Sequence, residues 1–234
     1  MSTPSVAVRW QATPSDPRAV VLVLHGGRER STRRNSWWAL SVWWMVPFAR
    51  TVQRAGDGDV AIARVRYTVR GWNDEAASPL SDVRVVLDDV VARYPDVPVA
   101  LVGHSMGGRV ALRLMGDERV TSVVALAPWV AEDDVDARLY RAHPGVRLLV
   151  VHGMSDRLTS SRASCALVRR LQADGIAASF VGLAREGHAM IRRRRTWDRL
   201  LAAHLRVTLL GEPLDPALSV SERAALAAGT VTRI

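Results

Sequence analysis

The sequence predicts an α/β protein: a mostly parallel central sheet with helices on both faces and no substantial lid domain. Three observations predict it. Short β-branched runs alternate with stretches of helical period along the chain, the pattern of parallel strands joined by crossover helices. "AVVLVLHGG" (19–27) is continuously apolar until its glycines, as a strand buried on both faces must be. "LVGHSMGGR" (101–109) passes from an apolar run into a helical pattern across one tight turn.

The elements follow in order. "SVAVRW" (5–10) reads as the first strand and 19–27 as the second. Residues 37–56 read as one helix, with Gly56 as a suitable C-cap. "DVAIARVRY" (59–67) is the third strand. In 78–95, Val83, Val86, Leu87, Val90 and Val91 keep a helical period until Pro95 stops it. Strands at 98–105, 120–128, 146–153 and 177–183 alternate with helices at 106–117, 161–175 and 196–211. Residues 1–211 are expected to form the main domain. Residues 212–234 read as an extension, a short helix or a mobile tail, in which Ser219 and Glu222 make a capping box.

Composition narrows the function classes. The chain has 234 residues and a single cysteine, Cys165, so it can bury a large core and forms no internal disulfide. Its 32 basic residues are all arginine, and the formal net charge is +9. The arginines are dispersed rather than gathered into a nucleic-acid motif. The run Arg192–Arg195 opens the last long helix and reads as a solvated face. No nucleic-acid partner is expected. The first residues are polar and Pro-containing, unlike a leader, and no stretch reaches the roughly 18 apolar residues of a membrane span. A cytoplasmic protein without a transmembrane segment is expected; oligomeric state leaves no trace in the sequence.

Ser105 sits where the fourth strand meets the following helix, the strand edge at which open α/β sheets gather functional groups. The turn is tight enough to require small neighbours two positions away on either side, and Gly103 and Gly107 supply them. Ser105 Oγ is then presented to solvent at the positive end of a helix. The Met106 amide lies beside it as an oxyanion donor. A serine hydroxyl needs a base, and the base an orienting acid. "VVHGMSDRLT" puts Asp156 past the end of one strand, and "LAREGHAM" puts His188 in the loop after another. Asp133 and Asp134, after the fifth strand, are alternative acids. His25, His104, His143, His152 and His204 suit the base position less well, and His104 should turn its side chain away from Ser105.

With "HGG" (25–27), "RYTVRGWN" (66–73), "GHSMGGR" (103–109), "ALAPW" (125–129), "HGMSDRLT" (152–159) and "GHAM" (187–190), the chain resembles the α/β-hydrolase superfamily. In particular it is similar to small actinobacterial serine hydrolases and esterases without a cap domain. The resemblance covers roughly residues 5–210. It implies Ser105 as nucleophile, His188 as general base and then acid, Asp156 as the residue orienting it, and the Gly27 amide, or alternatively that of Arg28, as the second oxyanion donor. It implies ester cleavage through an acyl-enzyme on a small-molecule acyl substrate, with neither cofactor nor metal. Thioesterase, lactonase or acyltransferase use of the same residues stays open, as does a catalytically silent binding or sensor protein.

The segment 129–146 is too short for a lid domain, so the site should be open. Trp72 and Trp129, both after strands at the same sheet edge, are candidate substrate-binding residues, with Arg28 in the basic loop beside "HGG". The cluster Trp37, Trp38, Trp43 and Trp44 reads mainly as helix-to-sheet packing, with some rings left exposed as a partner- or lipid-facing patch.

Overall fold

The computed structural model describes residues 5–130, 139–227 and 229–234. Eight strands form one sheet: β1 (Ala7–Ala12), β2 (Ala19–Leu24), β3 (Val60–Arg66), β4 (Val99–His104), β5 (Val120–Leu126), β6 (Arg147–Gly153), β7 (Ala177–Leu183) and β8 (Val231–Arg233). Their spatial order is β1-β3-β2-β4-β5-β6-β7-β8. β1 runs antiparallel to β3, and every other pairing is parallel. The helices are α1 (Leu40–Trp43), α2 (Val46–Ala55), α3 (Ser78–Arg93), α4 (Met106–Arg113), α5 (Ser161–Ala173), α6 (Arg194–Leu210) and α7 (Val220–Leu226).

The period of two in the central strands sorts residues between two cores. Val20, Leu22 and Leu24 of β2 and Leu101 of β4 face one core, built with α3, α4 and α5. Val21, Val23 and Val102 face the other, built with α2, α6 and α7. A strand buried on both sides has no room for polar residues, which explains why β2 reads "AVVLVL".

Two elements depart from expectation. The single helix expected over 37–56 is two, α1 and α2, separated at Trp44–Met45. Pro47 lies in the first turn of α2; it has no N–H, and its ring clashes with the carbonyl four residues back, so a helix running through it would lose a hydrogen bond and about 3 kcal/mol, and the chain breaks there instead. The chain beyond 211 holds a strand not read in the sequence. The capping box of Ser219 and Glu222 opens α7, and β8 then pairs with β7 as an eighth strand. Three residues are too few to show a period.

Because β2, β4, β6 and β7 are parallel, the loop that begins with "HGG", the turn at Ser105, the loop after β6 that carries Asp156 and the loop after β7 that carries His188 all emerge at one edge of the sheet. The β5–β6 connection is confined to residues 127–146, a length too short for a lid domain.

Candidate active site

Ser105 is the pivot between β4 and α4, with φ 56° and ψ −118°. An L residue held there stores ~1–3 kcal/mol of strain. Three backbone hydrogen bonds hold it: Ser105 N–H donates to Leu126 O (3.0 Å), and Ser105 O accepts from Arg109 N–H (3.1 Å) and Trp129 N–H (3.0 Å). A Cβ on Gly103 would lie 2.2 Å from Gly107 O, and one on Gly107 would lie 2.3 Å from Leu24 O. Any side chain at either position would force the helix off the sheet, so the two glycines are a steric requirement of the turn.

Asp156 follows β6, and its side chain is fully buried. Oδ1 accepts from the Leu158 and Thr159 N–H groups at 2.8 and 3.1 Å. Oδ2 accepts from Thr159 Oγ1 at 2.7 Å and from His188 Nδ1 at 2.8 Å. A second imidazole, His152, brings its Nε2 to 3.2 Å from the same oxygen. Burial alone would raise the carboxyl's pKa, but the two histidines, Thr159 and the Leu158 amide together outweigh it and hold Asp156 well below the usual carboxylate range.

The base loop is tied to the acid loop. Ser155 N–H donates to Glu186 O at 2.8 Å, an approach allowed because Gly153 carries no Cβ; one there would lie 2.5 Å from that oxygen. Glu186 is buried, and its carboxylate accepts from the backbone of Gly187 (2.9 Å), Arg192 (3.4 Å) and Arg193 (2.5 Å). It therefore shapes the loop that presents His188. His104 Nε2 donates to His188 O at 2.9 Å, and the two rings lie 4.8 Å apart. Burial lowers the pKa of His104 to about 4, with repulsion from His188 adding to it, so the ring is neutral. His25 is also lowered to about 4 by burial. Its Nδ1 meets Gly26 O at 2.6 Å, and its Nε2 accepts from Tyr67 N–H at 3.3 Å.

Ser105, His188, Gly27 and Gly26 line one cleft of about 380 Å³ together with His104, Leu40, Ser41, Trp44, Leu158 and Ala189. Met106, whose side chain is buried, follows Ser105 at the start of α4, and a Cβ on Gly27 would collide with the Met106 Cε at 2.2 Å. The predicted Ser105, His188 and Gly27 thus meet at the cleft, with Asp156 directly behind His188. Asp133 and Asp134 lie outside the described residues.

The predicted substrate residues lie elsewhere. Trp72 is buried, and Trp129 packs edge-on beside it; both rings meet the guanidinium of Arg109, 4.4 Å from each centroid. Neither lines the Ser105 cleft. Arg28 is exposed and borders a separate shallow hollow with Glu29 and Arg30. Its N–H is committed to Arg70 O at 2.9 Å, which removes it as the alternative oxyanion donor. Trp44, read as a packing residue, does pack against the core on the α2 side and lines the cleft as well, as does Leu40. His152 and Glu186 were missed as site residues. For His152 the signal was present: a histidine ending a buried strand, four residues before an aspartate.

Residues 20–233 match the model of the alpha/beta hydrolase family. The chain belongs to that family. Part of it is 28% identical over 122 residues to the phospholipase YtpA of Bacillus subtilis (strain 168), a match spanning 51% of this chain and 44% of that protein. Among solved structures, a putative alpha/beta hydrolase from Agrobacterium tumefaciens superposes with TM-score 0.68 at 19% identity, over 90% of this chain and 94% of that one. The Xanthomonas campestris protein XC6422, described as an α/β serine hydrolase without a lid, gives 0.63 at 21% identity over 89% and 90%. Est1E of Butyrivibrio proteoclasticus, solved with ferulic acid, gives 0.62 at 16% over 88% and 96%. At these identities the structural likeness shows the fold.

Proposed function

We propose that this hydrolase cleaves a carboxylic ester through an acyl-enzyme on Ser105, with His188 as base and acid and Asp156 as the orienting anion. The observation that carries the reading is the contact of His188 Nδ1 with Asp156 Oδ2 at 2.8 Å, on a histidine that shares its cleft with Ser105. With the proton on Nδ1, Nε2 keeps its lone pair for the serine. Ser105 Oγ attacks the ester carbonyl carbon while its proton passes to His188 Nε2. The oxyanion is met by the Met106 and Gly27 amides. A trans peptide points its C=O and N–H in opposite directions, so His25, by holding the Gly26 carbonyl, turns the Gly27 N–H away from itself. The C–O bond to the alcohol breaks as His188 returns the proton to the leaving oxygen. Water then attacks the acyl carbonyl, gives a proton to His188, and Ser105 leaves as the restored hydroxyl.

The apolar lining from Leu40, Trp44, Leu158 and Ala189 suits the hydrocarbon part of an acyl group. A partial relative named as a phospholipase supports an ester of that kind. The test is fluorophosphonate labelling read by mass spectrometry, beside hydrolysis of aryl esters of increasing acyl length. The adduct should fall on Ser105, and Ser105→Ala should lower kcat by at least about 10³-fold. An adduct elsewhere, or hydrolysis undiminished in Ser105→Ala, would sink the reading.

A further inference from the structure

The mouth of the Ser105 cleft carries apolar side chains that the fold leaves in water. Leu40 and Leu158 line the cleft, yet each is 76% exposed. On the α1 side, Trp38 is 82% exposed and stacks at 6.1 Å on Trp43, itself 50% exposed. On the His188 loop, Ile191 is 60% exposed, two residues beyond the cleft-lining Ala189. Exposing one such side chain is ordinary; five that line one cleft or lie within two residues of its lining mark an interaction surface.

The charge on the chain stretches that carry these side chains has one sign. Arg33 and Arg34 precede Trp38, Arg157 precedes Leu158, and Arg192 and Arg195 follow Ile191; all five are exposed. The stretches 33–43, 157–162 and 191–195 contain no acidic residue. The nearby carboxylates of Asp156 and Glu186 are buried and committed to hydrogen bonds. Indole rings partition to the headgroup level of a bilayer, aliphatic tips enter the acyl boundary, and guanidinium forks pair with phosphate. No helix among the described residues is long and apolar enough to cross a membrane, so contact of this kind would lie on the surface.

We propose that the rim formed by Trp38, Leu40, Trp43, Leu158 and Ile191, with its flanking arginines, docks this protein on an anionic lipid surface. Docking sets the cleft mouth against the bilayer, so that an acyl ester held in the surface reaches Ser105 without crossing water. The substrate class in that statement rests on the serine-hydrolase reading above; the docking does not.

The experiment is co-sedimentation of the full chain, as Ser105→Ala, with vesicles of phosphatidylglycerol and phosphatidylcholine, compared with phosphatidylcholine alone. Binding should be at least about tenfold tighter to the anionic vesicles and should weaken at high salt. The triple variant Trp38→Ser, Trp43→Ser, Ile191→Ser should lose about tenfold or more in vesicle affinity. In the Ser105 background it should keep its thermal midpoint and its hydrolysis of a water-soluble short-chain ester. Absence of the parent protein from the anionic vesicle pellet overturns the proposal, and so does a triple variant that binds as the parent does. A concentration-dependent dimer that the triple substitution abolishes, with no vesicle binding, overturns it in favour of a second copy of the chain. Vesicle binding without turnover of any ester upholds the docking and sinks the hydrolase reading instead.

Discussion

Two tryptophan-rich regions lie at or near the edge of the sheet that carries Ser105, and they differ in what meets the faces of the rings. On one side, Trp72 and Trp129 close on the guanidinium of Arg109, a residue of α4 four positions after Ser105. Trp72 there is buried and Trp129 half-buried, and each ring already has a face against the cation. On the other, Trp38 and Trp43 stack on each other with Trp38 largely and Trp43 half in water, and Trp44 lines the cleft. Trp37 shows the intermediate case, with Arg9 4.7 Å from its ring and Arg64 and Arg66 further out. A tryptophan beside an active site is available to a ligand only where no cation has claimed its face; the ring alone does not decide its use.

The largest expected effect tests the closed side. Trp72→Ala removes a buried ring and opens one face of a buried guanidinium. It should cost about 3–5 kcal/mol of stability, read as a lowered urea midpoint, with KM for short esters little changed at a temperature where the variant is folded. A shifted KM with unchanged stability would mean that Trp72 touches substrate, and the contrast would break.

The pH axis separates the packed interior from the open rim. His25 and His104 have pKa values lowered from 6.5 to about 4 by burial. Between those values the unfolded chain takes up protons that the folded chain refuses. Their contribution is complete above about pH 6.5 and is lost progressively as pH falls toward 4, by up to about 3 kcal/mol for each ring. Asp156, held below its usual range, works in the same direction at still lower pH. Urea unfolding at pH 7.5, 6 and 5 should show a falling midpoint. Histidine-to-glutamine changes at 25 and 104 should flatten that dependence even if they lower stability overall.

The smallest effect is expected on the open side. Trp44→Ala should alter stability by no more than about 1 kcal/mol. It should lower kcat/KM about tenfold for long acyl esters and less for acetate. Equal losses on both esters would show that Trp44 shapes the site rather than lining its acyl half.

The same contrast explains what could be read from the sequence. Ser105 was legible because its turn imposes a local steric rule, and Gly103 and Gly107 are that rule written two residues to either side. Asp156 and His188 were legible as polar residues just past buried strands, in an order the architecture accommodates. The roles of Trp72 and Trp44 were not, because the deciding partner, Arg109, reaches Trp72 across 37 positions of chain and a sheet edge. The break between α1 and α2 was legible in Pro47 but masked by the apolar residues around it. Glu186 was hidden for another reason: its partners are backbone amides, which no residue type announces.

The crowding at Asp156 has a consequence for where protons go. Two histidines, a hydroxyl and two amides all aim hydrogen atoms at one carboxylate. Ser164 Oγ lies 3.1 Å from the far nitrogen of His152, and an O–H donated there leaves the Nε2 proton of His152 for Asp156. A carboxylate so fully solvated by donors is a very weak base. In the reaction proposed for this site, the charge that His188 gains from the serine would have no downhill path onto the acid, and the imidazolium would wait, paired but not neutralised, until the leaving alcohol collects its proton, which keeps the proton on the side of the ring that faces the chemistry.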